Sequence, residues 1–402
     1  MLRAFSVCGD EASKEYVPRG LKLWVVGARN AFGCCLAANT ETLQLGTTAS
    51  ASHAHRDQIR AQGLKMTPRE RVYAALEFRE TDIVPYQVNF TREASRKLAD
   101  YYGNPNFEPT IGNHLAITSH RKQARWVEVK PGHFRDEWGV VWNRTIDKDI
   151  GVVEEFVLPE PTLAGYAFPD PHSPEVFESY PEFIAANSER FRISSIGFSL
   201  FERAWSMRGM ENLLVDFVEN PGFVHELFDA ITEFNLSQID AAMRYDIDGF
   251  QFGDDWGSQN GVIMGPELWR EFIKPRIKRM YDRVHAYGKF VIIHCCGDVK
   301  AILPDLVEVG LNCFNPFQPE VMEVLETKKL YYGKLSFYGG ISVQHLLPHG
   351  TPDEVRRETK RLLAELGRGG GYIASPSHAI PSDVPAENMA ALIEVLKEQQ
   401  AG

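Results

Sequence analysis

From Phe191 onward the sequence alternates short apolar runs with helical segments, and few folds accept that rhythm. Runs at 193–198, 249–253, 290–294, 313–317, 335–338 and 372–374 are apolar on both of their would-be faces, as strands buried on both sides must be. Helical stretches at 201–218, 221–245, 266–287, 299–309, 352–366 and 385–398 separate or follow them, with a shorter one near 321–325. Repeated strand–helix units require a parallel sheet, because each crossover returns the chain to the same end. With an earlier strand at 83–90 the count approaches eight, which favours a closed (β/α)8 barrel of the TIM type over an open doubly wound sheet. The fold class expected is therefore α/β, a single TIM-barrel-like domain over residues 66–402.

The first 65 residues read differently. The run Leu21-Lys-Leu-Trp-Val-Val-Gly27 is too short for a membrane span, and Asp10, Glu11 and Glu15 spoil a transit-peptide composition. An unstructured extension is expected there, with the folded domain opening at Thr67-Pro68-Arg-Glu70, which has the capping-box layout of a helix start. Extended pieces at 134–142 and 152–157 suggest a hairpin excursion before the regular alternation.

A net charge of -11 argues against nucleic acid or an anionic membrane as the main partner. No apolar run is long enough to span a bilayer. Six cysteines in 402 residues, none in a CxxC pair, are too few for a disulfide scaffold and indicate a reducing cytoplasm.

In a barrel the loops after the strands form the active face, so polar residues following each apolar run are the candidates. Asp254, Asp255 and Trp256 follow one run, and His294, Cys296 and Asp298 follow the next. Asn315 and Gln318, then Ser342, then Ser375, Ser377 and His378 follow the later ones. Side chains two apart on a strand share a face, so His294 and Cys296 point the same way, while Cys295 points into the wall. Imidazole nitrogen and thiolate sulfur suit a borderline-soft ion such as zinc, although a hydrogen-bonded core histidine and a small buried cysteine read equally from spacing. Asp254 and Asp255 are either a ligand, a general base or cation anchor, or a turn cap beside a solvated carboxylate. Trp256 either floors a substrate pocket or packs in the core. His378 lies between prolines, which fix a loop, or else it is a solvent-facing histidine. Arg270, Lys274, Arg276 and Lys278 read as a solvated helix face, and Cys313 as core.

These residues fall in an ordered series of motifs. Met66-Thr-Pro-Arg-Glu-Arg-Val72, Asp82-Ile-Val-Pro85, Asp136-Glu-Trp-Gly139, Gly253-Asp-Asp-Trp-Gly257, His294-Cys-Cys-Gly297, Asn315-Pro-Phe-Gln318, His349-Gly-Thr-Pro-Asp-Glu-Val355, Ser377-His-Ala-Ile380 and Pro385-Ala-Glu-Asn388 together resemble the uroporphyrinogen decarboxylase superfamily, which also contains corrinoid-linked methyltransferases. The resemblance implies a TIM-barrel-like fold and one of two activities. True decarboxylases carry an Arg-Gln-Ala-Gly-Arg segment after the first strand, whose arginines grip the carboxylates of the tetrapyrrole. This chain has Tyr86-Gln-Val-Asn-Phe-Thr-Arg92 there, without the arginine pair. In the methyltransferase branch a His-x-Cys-Gly strand end and a later cysteine hold zinc. His294 and Cys296 match the first two ligands, and His378 stands where the later cysteine falls. Decarboxylases also place a histidine there, so His378 is shared between the branches.

The resemblance therefore implies a zinc-dependent methyltransferase with His294, Cys296 and His378 on the metal. Asp254 or Asp255 would handle a proton, with Trp256, Asn315, Gln318 and Ser377 near the substrate. Exchanging a thiolate for an imidazole leaves a stronger Lewis acid, suited to a methyl ether or quaternary amine better than to a thiol. The small-molecule substrate would exchange its methyl group with cobalamin carried by a separate corrinoid protein, since the chain shows no cobalamin domain of its own. The competing expectation is cofactor-free decarboxylation of a porphyrinogen-like acid, with His378 binding a carboxylate.

Overall fold

The computed structural model describes residues 65–120, 126–145, 148 and 150–399. The expected N-terminal extension lies outside these residues, save Lys65. Strand β1 (Leu115–Ser119) precedes an antiparallel meander of β2 (Val127–Lys130), β3 (His133–Arg135), β4 (Val141–Asn143) and β5 (Val152–Glu155). Strands β6 (Phe191–Ile196) and β7 (Gly249–Gly253) follow, then a two-residue pair, β8 (Gly257–Ser258) and β9 (Gly261–Val262). The remaining strands are β10 (Phe290–His294), β11 (Cys313–Phe317), β12 (Ser336–Ile341) and β13 (Tyr372–Pro376).

Strands β1, β6, β7, β10, β11, β12 and β13 form one curled sheet in that order, and every neighbouring pair is parallel. Its two ends are joined by residues 85–91. Gln87 N–H donates to Ala374 O (3.0 Å) and Ala374 N–H to Pro85 O (2.8 Å) on one side, while His114 N–H donates to Tyr86 O (3.0 Å) on the other. The architecture is α/β and TIM-barrel-like.

The predicted strand at 83–90 is reduced to two isolated bridges, Tyr86 to Ala374 and Phe90 to Ile380. Pro85 has no N–H to give a ladder, and the Asn113 side chain takes over both main-chain groups of Val88 at 2.9 Å. Other boundaries move as well. The helix expected over 201–218 breaks at Gly209, whose φ is +93°, into Phe201–Arg208 and Met210–Glu219. The predicted hairpin is a four-stranded meander, the short helix near 321–325 lies at Val324–Leu330, and β1 is an additional strand.

The first helix, Pro68–Leu76, closes the barrel floor. Its Thr67–Glu70 capping box is formed. Val72 and Leu76 pack into the barrel interior with Leu115, Phe191, Ile193 and Ile292, and Tyr73 stacks edge-on against Phe191 and Phe290. Each such buried aliphatic side chain contributes about 1.5–3 kcal/mol. The fully buried Asp248 locks the helix there, accepting from Arg69 NH2 at 2.6 Å and from Tyr73 OH at 2.9 Å.

The meander packs on the opposite, C-terminal side of the sheet, where Phe198, just after β6, meets Trp142 edge-on at 5.3 Å. Asp136 organises it. Its carboxylate accepts the N–H groups of Trp138 and Val140, the Trp142 indole N–H, and Arg203 NH1 from helix Phe201–Arg208 at 2.9 Å. With the floor closed, the loops after the strands surround the open end. Among the described residues no helix is long and apolar enough to cross a membrane.

Candidate metal centre

His294 is the last residue of β10, in register with Gly253 on β7 and Asn315 on β11. The Asn315 amide nitrogen donates to Tyr338 O at 3.0 Å, so its Oδ1 faces His294 and accepts from Nδ1–H at 2.6 Å. That bond fixes the tautomer and leaves the His294 Nε2 lone pair free, the arrangement in which a second group orients a ligating imidazole. Cys296 Sγ lies 3.6 Å from this Nε2. Tetrahedral zinc with ordinary Zn–S and Zn–N lengths sets a ligand-to-ligand edge of about 3.5 Å. His378 completes the group, its ring centroid 5.6 Å from that of His294, and the ligand atoms of all three lie within 4.8 Å of one another. The Nε2–Sγ separation matches that edge, and His378, within 4.8 Å, offers a second nitrogen for a zinc ion that would keep one coordination position open, as catalytic zinc sites do.

Burial raises the Cys296 thiol well above its ordinary pKa, and the carboxylates of Asp255 and Glu202 push in the same direction. A divalent cation would reverse this and take the thiol as thiolate. His378 stays accessible to solvent, yet the protein crowded around it lowers its pKa by desolvation, with His294 adding to the effect. A neutral imidazole is the form that ligates.

Main-chain and side-chain contacts hold the turn that carries Cys296. Asp255 Oδ1 accepts the Cys296 N–H at 2.8 Å, and Gln318 Oε1 accepts the Gly297 N–H at 2.7 Å. Cys295 N–H donates to Asn315 O at 2.7 Å, while the buried Cys295 thiol accepts the Trp256 N–H.

The residues singled out by sequence separate into two groups. Asp255, His294, Cys296 and His378 gather at the mouth. Asn315 and Gln318 support that group: both are buried, with the Asn315 amide spent on His294 Nδ1 and Tyr338 O and Gln318 Oε1 on the Gly297 N–H. Ser377 is fully buried, and its Oγ has no hydrogen-bond partner among the described residues.

Asp254 and Trp256, expected in catalytic and substrate-binding roles, lie in the packed wall and not at the mouth. Asp254 is fully buried and accepts the N–H groups of Leu200, Phe201 and Glu202, together with the Trp256 indole N–H at 2.6 Å. Burial lifts its pKa to about 6, opposed by those four donors. It is the N-terminal cap of helix Phe201–Arg208, supplied from another strand end. Trp256 is core, fully buried and edge-on to Trp269 at 5.3 Å.

The basic helix is not uniformly solvated either. Arg276 is buried and paired with Asp229 at 2.9 Å, while Arg270 and Lys274 share Asp305. Sequence reading passed over Glu202. The signal available was its place in the loop-to-helix junction after β6, where barrel sites collect polar groups.

The uroporphyrinogen decarboxylase (URO-D) family model matches residues 163–399. The methylated-thiol–coenzyme M methyltransferase of Methanosarcina mazei is 25% identical over 198 residues, covering 49% of this chain and 51% of that protein. The methylcobamide:CoM methyltransferase of Methanosarcina barkeri is 24% identical over 184 residues, 46% of this chain and 51% of its own length. A uroporphyrinogen decarboxylase of Chlorobaculum parvum is 24% identical over 224 residues, 52% of this chain and 61% of the relative. The chain thus spans about half to three fifths of the length of these relatives. A solved methyltransferase from Methanosarcina mazei superposes with a TM-score of 0.63 at 18% identity, covering 83% of this chain and 99% of that one, which supports the same fold. The barrel, the motif order and the family match agree: the chain belongs to the uroporphyrinogen decarboxylase family.

Proposed function

We propose that this protein is a zinc-dependent methyltransferase, moving a methyl group between a heteroatom of a small substrate and the corrinoid of a separate protein. The observation that carries the reading is the triad of His294 Nε2, Cys296 Sγ and His378, within 4.8 Å and with the His294 tautomer set by Asn315. The methyltransferase relatives support the same branch, and the methylcobamide enzyme among them supports a corrinoid partner.

A zinc ion held there supplies Lewis acidity to the methyl-bearing or methyl-accepting heteroatom. The protein's own residues do the rest. Asn315 keeps Nε2 unprotonated and aimed, Gln318 and Asp255 hold the Cys296 turn, and the Asp255 carboxylate beside Cys296 is the group suited to accept a proton. Asp254 enters only as the cap that positions helix Phe201–Arg208 and with it Glu202.

Metal analysis tests the reading. Purified protein is expected to hold stoichiometric zinc, with Cys296→Ser and His378→Ala each losing most of it. Turnover of uroporphyrinogen by rigorously metal-free protein would instead establish the decarboxylase alternative.

A further inference from the structure

Inward-facing positions on the barrel strands alternate with outward ones, so exposure along a strand reports where the interior is open. On β1, β6, β7 and β10 the described residues are buried except at inward positions near the C-terminal ends and at the lower end of β10. Ile117 is 37% exposed, and Ser119, Ser195, Gly253 and His294 are partly exposed. A recess therefore enters the barrel beside His294. Gly253, the register partner of His294 on β7, contributes no side chain to fill it, and neither does Gly197 beyond β6, whose Cα would lie 3.3 Å from a Cβ on Gly253.

One inward step below Gly253, about 6–7 Å along the strand, stands Gln251. It pairs in register with Ser195 on one side and Ile292 on the other. Gln251 is only 8% exposed, and its carboxamide has no hydrogen-bond partner among the described residues. The Ser195 hydroxyl beside it has none either. Neither group is among the buried polar atoms left without a partner, so the Gln251 amide and the Ser195 hydroxyl keep contact with the recess, where water or a ligand can answer them. Its neighbours on the outer face, Phe250 and Phe252, are plain core, so nothing in the packing calls for a polar residue at 251.

Resting on the zinc reading above, we infer that Gln251 and Ser195 form the floor of the substrate site and bind a neutral hydrogen-bonding group of the substrate. A carboxamide and a hydroxyl both donate and accept, so they match a hydroxyl, an ether oxygen or an amide. The inward-facing positions of the described strands carry neither lysine nor arginine, so this floor offers an anionic sulfonate or carboxylate no counter-charge. The substrate is therefore one whose heteroatom reaches the metal while its far end is uncharged.

Two thiols that differ only at that far end test this, 2-mercaptoethanol and 2-mercaptoethanesulfonate. Cobalt(II)-substituted protein reports their binding through its visible absorption, and thermal melting reports the fold. Wild-type protein is expected to bind the neutral thiol about tenfold more tightly than the sulfonate. Gln251→Leu should weaken the neutral thiol about tenfold and the sulfonate less than twofold, with cobalt content and Tm held or Tm raised, because no internal bond is lost. Ser195→Ala should act in the same direction.

Equal binding of both thiols by wild type and Gln251→Leu, or a preference for the sulfonate, would overturn the inference while leaving the metal site standing. A fall of several degrees in Tm with both thiols weakened alike would overturn it too, since Gln251 would then be structural. Failure of wild-type protein to bind cobalt at all removes the zinc reading itself, and this inference with it.

Discussion

Gly257 and Gly297 meet backbone to backbone: a Cβ on Gly297 would lie 2.4 Å from the carbonyl carbon of Gly257, and one on Gly257 2.5 Å from the carbonyl oxygen of Cys296. The loop after β7 thus presses on the turn that carries Cys296, a proposed metal ligand, and Gly297 also needs its φ of +85°. Gly297→Ala is expected to cost about 2–4 kcal/mol of stability and to reduce zinc affinity together with it. Chemical denaturation and a chelator competition read the two effects. An alanine variant that keeps both would show that the turn yields easily.

Asn315 gives a sharper test, because it is buried behind His294 and lies outside the proposed ligand set. Losing its bond to His294 Nδ1 frees the imidazole to rotate and to change tautomer. Asn315→Ala is expected to lower zinc affinity about 10–100-fold with a modest loss of Tm. Asn315→Asp, which keeps the acceptor, should recover most of that affinity. Equal affinity in all three proteins would remove Asn315 from the ligand-orienting role.

The strand–helix alternation was readable because strands buried on both faces leave continuous apolar runs; those of β7, β10 and β11 fall where the runs end. His294 and Cys296 were readable for a related reason, since period two is a local property. The function of Asp254 was not. Its three main-chain donors lie more than fifty residues away, and nothing local distinguishes a carboxylate that caps a distant helix from one that faces a substrate. Trp256 was misleading in the same way, because its indole N–H is spent on Asp254. The strand at 83–90 misled by composition, since Asn113, far along the chain, supplies the bonds a ladder would have made.

Asp254→Asn follows from the capping geometry. The amide presents a donor toward at least one of the N–H groups of Leu200, Phe201 and Glu202 and removes the charge at a helix N-terminus. A loss of about 2–3 kcal/mol is expected, with zinc content unchanged in the folded fraction. Zinc lost at full stability would return Asp254 to the metal centre.

His114 makes a prediction about pH. It is fully buried where residues 85–91 join β1, with Nδ1 accepting from Tyr86 N–H at 3.4 Å and Arg71 NH1 3.3 Å from Nε2. Burial first, and the Arg71 charge second, lower its pKa from 6.5 to about 4. The unfolded chain therefore takes up a proton before the folded one does. The contribution of neutral His114 is complete above pH 6.5 and is lost as the pH falls toward 4, with no further loss below that. By pH 4.5 the loss should reach roughly 2–3 kcal/mol. Urea midpoints for wild type and His114→Gln at pH 7, 5.5 and 4.5 separate this group from the other titrations. The glutamine variant, starting from lower stability, is expected to fall less steeply by that amount. Parallel curves would mean that His114 is protonated in the folded protein or that Arg71 moves away to admit the charge.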